Sequence, residues 1–102
     1  MMAKPRSAFV FISPGADPRK HKAVIETPGL ELTVVGVSDV EEATAICRKL
    51  SDEGIDLVEL CAAFGNVGTA KIVEAIGEKT PVGSVAFGIN SVEKVSSLLK
   101  RA

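Results

Sequence analysis

Apolar residues in this chain gather into four strand-like runs, at 8–13, 32–38, 56–64 and 82–87, separated by amphipathic or polar stretches. A residue suited to start a helix stands at or shortly after the end of each run: Asp17, Ser38, Asn66 and Asn90. Gly29, Gly54 and Gly77 close the first three units, and the end of the chain closes the fourth. Strand, cap, helix and glycine repeated in this way predict (βα)4, a parallel sheet covered by helices. The first and third runs are apolar at successive positions, as strands covered on both faces are. The second carries Gly36, and the fourth carries Gly83 and Ser84, interruptions that suit sheet edges. The expectation is a three-layer α/β domain with a four-stranded parallel sheet in flavodoxin-like order 2-1-3-4. The alternative is a half (β/α)8 barrel, order 1-2-3-4, that dimerises, with Thr33, Glu59, Cys61 and Ser84 lining its interior. A ferredoxin-like rearrangement is the remaining option.

The helices follow from local signals. Asp17 as cap and Pro18 as first helical residue predict a short helix ending at Thr27-Pro28-Gly29. Ser38 with Glu41 reads as a capping box for a helix whose inner face is Val40, Ala43, Ile46, Cys47 and Leu50. Ala70, Val73 and Ile76 mark a third helix that stops at Gly77. Asn90 with Glu93 is a second capping box, and Val92, Val95, Leu98 and Leu99 give the last helix its buried side.

Composition narrows the class. With 102 residues, 46% apolar and 25% charged, residues 1–102 are expected to form one soluble α/β domain. A net charge of −1 and the lack of Tyr and Trp argue against nucleic acid as a partner. No apolar run approaches the roughly 20 residues that cross a bilayer, so no membrane partner is expected. The N-terminal stretch carries Lys4 and Arg6 but runs straight into a strand, unlike a signal peptide, which points to the cytoplasm. Cys47 and Cys61 accompany a single histidine, His21, without zinc or redox spacing. No metal and no organic cofactor is implied, and both thiols read as reduced core residues.

The candidate chemistry lies where strands hand over to helices. Gly65, Asn66, Gly68 and Thr69 form a glycine-bearing loop whose backbone can approach an anion, with free N–H groups of the next helix behind it. The same residues also fit an ordinary tight turn with an Asn cap. Neither dinucleotide nor P-loop glycine motifs are present. Ser13, Gly15 and Asp17 form the first loop, followed by the basic cluster Arg19, Lys20, His21 and Lys22, which otherwise reads as a solvated face. Glu59 interrupts an apolar strand, where a carboxylate is costly unless paired, protonated or at a cleft. It is the candidate catalytic acid or base.

The strings Phe9-Val-Phe-Ile-Ser-Pro-Gly15 and Val58-Glu-Leu-Cys-Ala-Ala-Phe-Gly65, with Val67-Gly68, Ala70-Lys71, Pro81-Val-Gly83 and Phe87-Gly88, resemble a family of small prokaryotic proteins classed as a domain of unknown function. The resemblance spans nearly the whole chain. It implies an acidic residue followed by a Phe-Gly-x-x-Gly loop, here Glu59 and 64–68, and no established activity. At the level of fold, the last two units are also similar to the paired phosphate-gripping loops of (β/α)8 barrels.

In order 2-1-3-4 the first and third loops flank the topological switch point. The expected function is binding of a small anionic or phosphorylated metabolite there, by Ser13, Gly15, Asp17, Gly65, Asn66, Gly68, Thr69 and Asn90. An enzyme using Glu59 as acid or base and a non-catalytic homo-oligomeric assembly module are the two alternatives.

Overall fold

The computed structural model describes residues 3–101. Strands β1 (Arg6–Ile12), β2 (Lys22–Thr27) and β3 (Leu30–Val37) come first, then helix α1 (Val40–Asp52) and β4 (Leu57–Leu60). A 3-10 turn (Ala62–Phe64) leads into α2 (Gly65–Ile76), followed by β5 (Val82–Ser84), a second 3-10 turn (Ile89–Ser91) and α3 (Val92–Leu99). The strands form one five-stranded sheet, order β2-β3-β1-β4-β5, parallel except for β2.

The class is α/β and mostly parallel, but the expected four-stranded, three-layer domain is not matched. The four anticipated runs lie side by side as β3-β1-β4-β5, and an additional antiparallel strand stands where the first helix was expected. The Asp17 signal starts only a turn. Its carboxylate accepts the Arg19 N–H at 2.9 Å, and its carbonyl accepts from Lys20 and His21. The residues that follow, Val24, Ile25 and Thr27, are β-branched and disfavour helix. Pro28-Gly29 then forms a two-residue hairpin that lays β2 on the free edge of β3, pairing Thr27 with Leu30 through to Lys22 with Val35. The second run, expected at an edge, therefore becomes interior. Its Gly36 has a packing purpose: an added Cβ would stand 2.6 Å from Phe11 Cζ.

Helices α1 and α2 pack on each other and on one sheet face. Ala8, Val10, Val35, Val37, Val58 and Leu60 meet Ala43, Cys47, Leu50, Ile72 and Ile76 in the buried core. Alternate strand residues turn to the other face. Phe9, Phe11, Leu32, Val34 and Leu57 there are half-buried, and among the described residues no helix covers them. Chain handedness accounts for this. The β3–α1–β4 and β4–α2–β5 crossovers move in the same direction, so right-handed connections place both helices on one side. Only the β1-to-β3 connection could have clothed the opposite side, and it is occupied by β2. The result is two layers, not three.

The half-barrel alternative is overturned by the strand order. Its proposed lining is divided as well: Thr33 and Ser84 register with Ala8 and Leu60 on the helix side, whereas Glu59 registers with Phe9 on the other.

Three helix starts also differ from expectation. Asp39, not Ser38, caps α1 by accepting the Glu42 N–H at 2.8 Å, while Glu42 accepts from the Ser38 N–H and hydroxyl. The box is present but displaced by one residue, because the extended backbone continues through Asp39. Asn66 lies inside the first turn of α2 and Asn90 inside the second 3-10 turn, so neither caps a helix.

Candidate functional site

The carboxyl ends of β1 and β4 are adjacent, and the Ile12 N–H donates to Cys61 Sγ at 3.4 Å between them. After β1 the chain turns sharply. Ala16 N–H donates to the Ser13 carbonyl at 3.0 Å, with Gly15 at φ +79, a left-handed conformation that favours glycine. The Asp17 N–H donates to His21 Nδ1 at 2.8 Å, folding the basic cluster back on the loop. Ser13, Gly15, Phe11 and His21 border a shallow cleft of about 250 Å³. The backbone N–H of Arg19 holds the half-buried Asp17 carboxyl below its usual value, with the guanidinium of Arg19 adding to it.

After β4 the 3-10 turn ends at Gly65, whose φ of +60 redirects the chain into α2. No side chain caps α2. Thr69 donates its hydroxyl to the Gly65 carbonyl at 2.6 Å, which ties it to its own helix. Gly68 is buried at the α1–α2 contact, where a Cβ would come within 3.3 Å of both Phe64 Cβ and Val40 Cγ2. Thr69 and Gly68 are thus accounted for by folding. Gly65 and Asn66 instead border a second cleft, of about 310 Å³, closed by Ser84 and Phe87 on one side and by Val92, Val95, Ser96 and Leu99 of α3 on the other.

The structure therefore divides the expected site. Ser13 and Gly15 face one cleft, Gly65 and Asn66 face another, and neither cleft is lined by both loops. Asn90 is exposed and lines neither. Glu59 is exposed on the uncovered sheet face, between Phe9 on β1 and Gly83 on β5, with no ion pair among the described residues. The cost that made it conspicuous in an apolar strand is not incurred in the single chain. Cys47 is fully buried, and burial pushes its thiol up to about 11, which leaves it protonated and inert.

Two groups of residues were not anticipated. The α3 side of the second cleft becomes visible only once the 85–91 segment is seen to bring α3 to the start of α2. A third cleft, about 290 Å³, has Arg19, Lys22 and Lys49 at its rim over Val35, Ile46 and Leu50. Lys49 carried no local signal, since it sits on the polar side of α1 like any solvated lysine. Among the described residues no group of three or more His, Cys, Asp or Glu is placed to hold a metal ion. No helix among them is long and apolar enough to cross a membrane.

Together these features define an α/β domain with a mostly parallel sheet, one helical layer, and clefts at the carboxyl ends of its strands. The chain belongs to DUF6506, a family of unknown function whose model matches residues 5–100. No curated protein and no solved structure matches it.

Proposed function

We propose that this domain binds a small anionic molecule with an apolar body, in the cleft between the first turn of α2 and α3. The observation that carries the reading is the start of α2. It opens on a glycine at φ +60 with no atom within 4 Å of an added Cβ. The Gly65 N–H is taken by the Ala62 carbonyl, and no side chain takes up the N–H groups that follow it. Such a terminus attracts a phosphate or carboxylate through its unpaired donors and the helix dipole. Asn66, Ser84 and Ser96 supply further hydrogen bonds, and Phe87, Val92 and Leu99 supply the apolar wall. No Lys or Arg lines the cleft, which favours a single carboxylate or phosphomonoester over a polyphosphate. Asp17, itself ionised, offers nothing to an anion, so the first loop is left out of this site. Acid–base catalysis lacks comparable support, because Glu59 lines neither carboxyl-end cleft.

The test is an amide NMR titration with inorganic phosphate and with a short-chain carboxylate. Shifts centred on Gly65, Asn66 and Val67 are expected, and Asn66→Asp should weaken them roughly tenfold by placing a like charge at the helix start. Shifts confined to Arg19, Lys22 and Lys49, or none at all, would overturn the assignment.

A further inference from the structure

We infer that the uncovered sheet face is the interface of a homodimer in which two copies stack their sheets face to face. The strand positions turned to that side are Ser7, Phe9 and Phe11 of β1; Leu30, Leu32, Val34 and Gly36 of β3; Ala23, Ile25 and Thr27 of β2; Leu57 and Glu59 of β4; and Gly83 of β5. Glu59 is the one charged side chain among them. A sheet face that meets water alternates polar with apolar along each strand, whereas strands covered on both sides are apolar throughout. Residues 8–12 of β1, 34–37 of β3 and, apart from Glu59, β4 have the second pattern, and the chain supplies a cover for only one side.

The size of the face points to the occupant. Strands of seven, six, eight, four and three residues, at ~3.3 Å per residue and ~4.8 Å apart, outline roughly 440 Å². Side-chain relief raises the accessible area toward the ~800 Å² that each partner contributes to a standard stable interface. A lone helix, ~10 Å across, would leave about half of it open. A second copy of the same face has the right extent and the right chemistry. Two sheets stack ~10 Å apart with interleaved apolar side chains, and one patch meeting itself is the isologous arrangement of a two-fold dimer. Charge placement agrees. Glu59 lies on β4, one strand in from the β5 edge, so it falls toward the rim while Phe9, Leu32 and Val34 take the centre. Ala16 of the first loop already lies over Gly36 and Phe11, which confines the contact to the middle of the strands.

Sedimentation velocity of the full chain, from micromolar to millimolar concentration, tests this. The expected result is a monomer–dimer equilibrium that Val34→Lys and Ile25→Lys each weaken roughly tenfold or more. Ile25 is 53% exposed in the single chain, so its replacement leaves the fold intact, and circular dichroism checks that. If Val34→Lys unfolds, Ile25→Lys decides alone. Lys71→Glu, on the exposed side of α2, serves as the control and should leave the equilibrium unchanged. A protein that stays monomeric throughout, or a dimer indifferent to Ile25→Lys, would overturn the inference.

Discussion

Glycine at two helix and hairpin ends illustrates how far a residue's identity and its backbone can diverge. Gly29 and Gly54 both stop an element and look alike in sequence. Gly54, just past α1, sits at φ +92 with its N–H donating to the Ser51 carbonyl at 3.1 Å, and an added Cβ would also touch Arg6 Nη1. Gly29 has an ordinary negative φ and nothing within 4 Å. Gly54→Ala is therefore expected to cost about 1–2 kcal/mol, and Gly29→Ala to lie within about 0.5 kcal/mol of the parent. Urea unfolding of both variants checks this, and equal costs would contradict the backbone argument. The core was legible at this scale: Cys47, Ala43 and Leu50 follow from helical spacing and are buried. The cap of α1 was legible only to within one residue, because Ser38 and Asp39 are both good caps and the choice between them depends on where the extended backbone of β3 ends. The ligand roles foreseen for Gly68 and Thr69 were not separable from packing roles, since a glycine that admits a ligand and one that admits a neighbouring helix look identical in sequence.

Elements differ in how much of their stability is their own. The α1 helix was readable because its cap, its apolar stripe and its docking site all agree. The 18–27 segment was misread because a genuine local signal, Asp17-Pro18, competes with β-branched residues and with the open edge of β3, a tertiary partner that no local pattern reveals. The α3 helix is a third case. Val92, Val95, Leu98 and Leu99 read as its buried side, yet none of its residues is buried: Val92 is 52% exposed, Leu98 55% and Leu99 61%. An eight-residue helix with so little tertiary support has only marginal stability of its own. Hydrogen exchange should therefore find the α3 amides orders of magnitude less protected than those of α1 and α2. Saturating carboxylate or phosphate should raise protection in α3 if the cleft it walls is occupied. Protection in α3 equal to that in α1 without ligand would show that α3 is held by contacts absent from the single chain.

At the scale of the molecule, the strands carried a message that the helices contradict. Runs such as Ala8-Phe-Val-Phe-Ile are written for cover on both sides, and the three-layer expectation followed from that. The chain spends its first crossover on β2 instead, and the inferred dimer would supply the second cover from another copy. What was legible is that the central strands are apolar on both faces; what was not legible is that the chain lays helices on only one of them. Stability should then depend on assembly. If the uncovered face is buried between two copies, dissociation and unfolding are linked, and mass action makes the melting temperature fall on dilution. For a domain of this size the shift should be a few degrees for each tenfold dilution. Ile25→Lys should show that dependence displaced by a decade or more, melting at each concentration where the parent melts at least tenfold more dilute. Scanning calorimetry and circular dichroism across a hundredfold range measure it. A parent whose melting temperature is flat over that range would place its whole stability in one protomer, with Phe9, Leu32, Val34 and Leu57 left facing water.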